Sequence, residues 1–231
     1  MINRRAFKFD MGWWSSFFKI NKIVRRFVLA DLFFFSGWGL IGPVLPIFII
    51  EKISGATIVN VGTAIGIYWL VRAAIQLPVA IWLDKIVKVS GERKDYYVLV
   101  LGLIMASVTA LSFIFVSNIE QLYFVQILQA ISFGLYVPSW AGIFNRHLDG
   151  DRVAFDVSLD NTTLAFAYGV TAISSGIVAE IFGFQAIFIA ASVLSMIAAI
   201  IILITPDVVF RKWPVKKMIS EGNSRIKKSI E

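Results

Sequence analysis

The chain has 231 residues, of which 58% are hydrophobic and 16% charged, with a formal net charge of +7 and no cysteine. A soluble domain carries about a quarter charged residues, so that class is excluded; the missing thiols exclude a disulfide framework, a thiolate metal site and a cysteine nucleophile. Apolar runs of about 20 residues recur along the chain, which therefore reads as an all-α polytopic membrane protein.

Residues 1–22 mix cations with Phe, Trp and Met but have no uninterrupted apolar core and no small-residue cleavage site, so they read as an interfacial segment rather than a cleaved signal. The first span, 23–50, carries Asp31 and Trp38. The second, 58–83, carries Gly62 and Gly66, then Tyr68, Arg72 and Gln76. The third, 96–116, offers nothing more polar than Ser107, Thr109 and Ser112. Gln126, Gln129 and Tyr136 lie in the fourth, 122–144. The fifth, 157–182, holds Asp160, Asn161, Thr163, Tyr168, Gly169, Thr171, Ser175 and Gly176. A tight turn at Gly183 leads into the sixth, 184–204, whose polar residues are Ser192 and Ser195. Short polar linkers are expected at 51–57, 84–95, 117–121 and 145–156. The organisation is thus an interfacial segment 1–22, a six-helix domain 23–206 and a basic tail 207–231 that lies on or near anionic lipid.

Charge placement sets the expected orientation. Of 22 Lys and Arg residues, seven precede Phe27, four lie in 84–95, two in 145–156 and seven after Pro206. The alternate loops hold only Lys52, and the remaining cation is Arg72. The positive-inside rule therefore predicts a multi-pass protein of the cell's inner or plasma membrane with both termini cytoplasmic.

A charge inside a span costs about 2.5 to 3.5 kcal/mol on insertion scales and normally faces a cavity or a partner. Asp31 and Arg72 qualify, at depths of about 12 and about 16 Å from the basic ends of their helices. The expectation is an ion pair beside a polar cavity, with Tyr68 and Gln76 one turn either side of Arg72; a purely structural pair locking helix one to helix two is the alternative. By the same test helices one, two, four and five surround the cavity, and three and six face lipid. The aromatic set Trp38, Tyr68 and Tyr136 suits either packing or a ligand. With a single histidine, His147, read as a solvated loop residue, no nucleophile and base stand together, and neither an enzyme, a metal site nor a cofactor is expected.

Three stretches carry a resemblance. "PVAIWLDKIVKVSGERK" is similar to a cytoplasmic signature between helices two and three, its positions falling on Ala80, Asp84, Lys85, Gly91, Arg93 and Lys94. "QILQAISFGLYVPSW" is similar to a fourth-helix pattern, here Gln126, Ala130, Gly134 and Pro138, and "YGVTAISSGIVAEIFGF" to a glycine-rich fifth helix with Gly169, Gly176 and Gly183. Together they resemble the N-terminal six-helix half of the major facilitator superfamily of transporters. That family has glycine where Ala80 stands, a second glycine closer to the Asp, so that the loop here carries an insertion, and arginine where Gln126 stands.

The resemblance implies a secondary transporter working by alternating access, with substrate near the midplane between two such halves. Its cavity residues would be Asp31, Trp38, Tyr68, Arg72, Gln76, Gln126, Tyr136 and Tyr168, and its gating motif the six positions from Ala80 to Lys94. One half alone would turn polar groups toward lipid, so a partner is expected, most simply a second copy about a two-fold axis. Gly62 and Gly66 would approach the partner's Gly169 and Gly176, or else pack within one protomer. Asp84 would face the partner's helix five, where Asp156 and Asp160 would repel it and Arg152 offset part of the repulsion. A small solute, with a proton or ion left open, and the bilayer are the other partners; nucleic acid is not. A module that does not transport, or a half that pairs with a different chain, is the alternative.

Overall fold

The computed structural model describes residues 20–205 with the exception of Asp151. The interfacial segment, except its last three residues, and the basic tail expected from the sequence therefore lie outside the described residues.

Each helix begins and ends where local chemistry dictates. Helix α1 spans Lys22–Lys52, opened by Asn21, whose side chain accepts from the Ile23 amide at 3.0 Å. Helix α2 spans Ile58–Ser90; Asn60 Oδ1 accepts from the Thr57 amide at 2.8 Å, and Gly91 ends the helix at a φ of 67° that glycine adopts without strain. Helix α3, Arg93–Ser112, tightens into the 3-10 turn Phe113–Phe115. Helix α4, Ile119–Arg146, is capped by Asn118, which accepts from the Gln121 amide at 2.9 Å. The last helical segment, Val153–Leu203, is broken at Gly183, where φ is 79° and ψ 169°. Its arms, α5 (153–182) and α6 (184–203), are each long enough to cross a hydrocarbon core of about 30 Å. All five segments are long and apolar enough to span a membrane.

Hydrophobic burial does not drive helix association in lipid, so close backbone approach and interhelical hydrogen bonds have to hold the bundle. Helix α1 packs along α5 and α6 through its glycines: a Cβ at Gly39 would stand 2.2 Å from Thr171 Oγ1, and one at Gly37 2.9 Å from the Ala191 carbonyl oxygen. Helix α4 is the second spine, with Gly134 against Ile75 of α2 and the Tyr136 backbone against Gly102 of α3. Ser107 of α3 donates to the Ser192 carbonyl of α6 at 2.9 Å, and the Tyr96 hydroxyl reaches the carbonyls of Ile202 and Leu203 at 3.0 Å. Phe34, at 4.6 Å from the Tyr136 ring and 5.3 Å from Phe133, fills the space between the two spines.

Several expectations are corrected. The linker 84–95 is almost all helix, since α2 runs on past Asp84 to Ser90 and only Gly91 and Glu92 precede α3; the extra residues lengthen a helix rather than a loop. Helices α3 and α6 do expose apolar faces (Leu101 and Val108; Ile189 and Val193), yet the Ser107 and Ser192 hydroxyls meet between them at 3.1 Å. His147 is not a solvated loop residue: it is 4% exposed, its Nδ1 2.9 Å from the Ile143 carbonyl and its Nε2 3.5 Å from Glu92. The cause is that the end of α4 meets the start of α3, where Arg146 donates to Glu92 at 2.8 Å and also pairs with Asp95.

Candidate functional site

On a helix of 3.6 residues per turn, residues four apart share a face. Arg72 accordingly donates through Nη1 to the Tyr68 hydroxyl at 2.8 Å and through Nε to Gln76 Oε1 at 3.3 Å. Its guanidinium also lies 5.0 Å from the Trp69 ring centroid and 5.5 Å from that of Phe133 on α4, within the range of cation–π attraction. Every one of these partners is neutral.

Arg72 and Gln76 line a cleft of about 780 Å³ between α2 and α4. From Trp69 it runs past Ala80 toward Asp84, Asp95 and Asn145 at the end of the bundle where the basic loops lie. Trp69 also borders a smaller cavity of about 220 Å³ on the opposite side, lined by residues of α1, α2, α4 and α5 that include Tyr68, Gln126, Gln129 and Tyr168. The side-chain oxygens of Gln126 and Gln129 have no hydrogen-bond partner among the described residues. Trp69 thus borders both cavities.

Asp31, Trp38 and Tyr136 line neither cavity; they are 2%, 5% and 3% exposed and belong to the packed interior. The expected Asp31–Arg72 pair is not formed. Asp31 accepts from the Tyr136 hydroxyl at 2.5 Å, with the buried Asp160 as an electrostatic neighbour. Helices α1 and α2 touch little, because α4 stands between them: Phe133 meets Phe34 of α1 on one side and Arg72 of α2 on the other. Trp38 packs edge-on against Phe133 at 5.1 Å.

Of the signature positions, Ala80 and Asp84 line the cleft, while Lys85, Arg93 and Lys94 are exposed and Gly91 forms the turn. Asp156 and Asp160 do not present the outward negative charge expected at the start of helix five. They are 0% and 3% exposed, Asp156 accepting from the Asp149 amide at 3.1 Å and standing 3.9 Å from Arg152. A Cβ built on Gly62, Gly66, Gly169 or Gly176 meets nothing within 4 Å, so these glycines do not pack within the protomer; Gly37, Gly39, Gly102 and Gly134 do.

Sequence reasoning missed Trp69 and Phe133 as neighbours of the guanidinium and Glu92 as the anchor of Arg146 and His147. Trp69 was recoverable, being three residues before Arg72 on the same helix; Phe133 and Glu92 act across helices, which periodicity does not reveal.

A profile described as Major Facilitator Superfamily matches residues 27–228. The curated protein "Uncharacterized MFS-type transporter MJ1560" of Methanocaldococcus jannaschii is 27% identical over 196 residues, covering 84% of this chain and 48% of the relative. The structure of the POT family transporter PepTSo superposes with a TM-score of 0.65 at 13% identity, over 82% of this chain and 38% of that one, a likeness of fold alone. The chain thus spans about half the length of the curated relative it matches.

Proposed function

The chain belongs to the Major Facilitator Superfamily, a family of transporters and not of enzymes, and from that premise we propose that it carries a small solute across the bilayer by alternating access. Six spans form one half of the transport unit, with both termini and the Asp84 end of the Arg72 cleft on the cytoplasmic side. The observation that carries the reading is the cleft itself: a cation deep in a span, held by neutral groups, lining a cavity of about 780 Å³. Structural cations in membranes are normally paired, whereas those on a solute path face a cavity.

The other half is supplied by a second copy. Helices α2 and α5 carry the unoccupied glycines together with exposed Leu70, Leu77, Phe166 and Ile173. Bringing α2 of one copy against α5 of the other covers these faces and closes the cleft away from lipid. A different chain as the second half is the competing reading.

Because the chain has no cysteine, paired Gly66→Cys and Gly176→Cys variants give a clean cross-linking test in lipid. Homodimer bands together with solute uptake into proteoliposomes are expected. A chain that stays monomeric at every protein-to-lipid ratio sinks the symmetric arrangement, and one that moves no solute in either form sinks the transporter reading.

A further inference from the structure

We infer that the solute is a small organic monoanion with an apolar body, its charged group held by Arg72; the inference rests on the transporter reading and narrows it. A guanidinium stays charged at any physiological pH and offers five N–H donors in a planar fork. Here one goes to a phenol and one to an amide, neither of which cancels the charge. The aromatic rings around it steady the cation and likewise leave it uncompensated.

Among the described residues no carboxylate reaches it. Asp31 is engaged with Tyr136 behind the aromatic layer, beside Asp160. Asp95 and Glu92 are taken by Arg146. Asp84 lies on the same helix 12 residues further on, about 18 Å at 1.5 Å per residue. From α4 the cleft receives Val137, Pro138, Ala141, Gly142 and Asn145, none of them ionisable.

The free side of the fork therefore fits an oxyanion with two adjacent oxygens, carboxylate or sulfonate, bound through two parallel N–H bonds. Each copy's cleft holds a single Arg72, so a doubly charged anion bound there would keep one charge uncompensated, and a cationic solute would meet like charge in a low-dielectric wall. Trp69, Ala73 and Leu77 on α2 face Val137, Pro138 and Ala141 on α4, an apolar channel that a hydrocarbon or aromatic body fills better than a sugar does.

The test uses the full chain in lipid nanodiscs and proteoliposomes with isosteric probes: benzenesulfonate, benzoate, benzenesulfonamide, benzyltrimethylammonium and inorganic sulfate. Benzenesulfonate and benzoate are expected to raise the melting temperature with at least tenfold tighter apparent affinity than the neutral, cationic or inorganic probes. Arg72→Gln should erase that preference, and Arg72→Lys should restore part of it. The wild-type ranking decides the matter even should Arg72→Gln fail to insert. The assignment is overturned by equal or tighter binding of benzenesulfonamide, benzyltrimethylammonium or sulfate, by no response to either organic anion, or by an undiminished preference in inserted Arg72→Gln. Anion binding without benzenesulfonate uptake keeps the assignment and retires the transport reading; uptake of a neutral or cationic solute instead does the reverse.

Discussion

The Tyr136 hydroxyl of α4 donates to the Asp31 carboxylate of α1 across 2.5 Å, both side chains being almost fully buried. Removing the donor leaves a buried acceptor unsatisfied, which costs about 1 to 3 kcal/mol. Tyr136→Phe should therefore lower the unfolding free energy in detergent micelles by about that amount. Unchanged stability would show that Asp31 finds another donor at no cost.

At the basic end, Arg146 bridges Glu92 and Asp95, whose side chains are each 2% exposed. Removing one member of a buried ionic cluster costs about 3 to 5 kcal/mol, because it leaves charge uncompensated. Arg146→Ala should show that loss as a lower melting temperature and poorer insertion. Arg146→Lys should recover only part of it, since a single ammonium cannot reproduce a fork that reaches two carboxylates. Full rescue by lysine would reduce the cluster to simple charge balance.

The two sets of glycines should respond oppositely to the same substitution. In Gly39→Ala the new methyl meets Thr171 Oγ1 and the Tyr168 backbone, the latter at 2.9 Å, and overpacking of this kind costs about 1 to 3 kcal/mol. Gly66→Ala meets nothing within 4 Å, so the monomer should tolerate it while dimer cross-linking falls. Thermal melts in dilute detergent paired with cross-linking in lipid separate the two effects. A destabilised Gly66→Ala monomer would contradict the open surface described here.

Tyr68→Phe removes one acceptor of Arg72 and leaves the charge in place. The bond is partly buried, so its loss should cost about 1.5 kcal/mol, roughly tenfold in solute affinity. The melting temperature should barely move. A variant with wild-type affinity would free Tyr68 from any role in orienting the guanidinium.

What the sequence disclosed was whatever a helix says about itself. The Gly183 break, the spans and the bracketing of Arg72 by Tyr68 and Gln76 all follow from length, positive-φ chemistry and the 3.6-residue period. Relations between helices were another matter. Asp31 and Arg72 sit at similar depth, and depth alone makes them look like partners, but α4 inserts Phe133 and Tyr136 between their helices. His147 looked solvated because its anchor, Glu92, lies 55 positions away at the start of another helix. Glycine spacing identified two sets of small residues without telling which met a neighbour; Gly39 and Gly134 lie buried in α1 and α4, whereas Gly66 and Gly176 lie on open faces.

Both hydrogen-bond acceptors of Arg72 ride on α2, the helix that carries Arg72 itself. Under the proposed alternating access, donor and acceptors would swing together like fittings on one beam, so these two bonds would survive the swing and only the route to a solute would change. A carrier built this way would need no rearrangement of those two hydrogen bonds between loading and release.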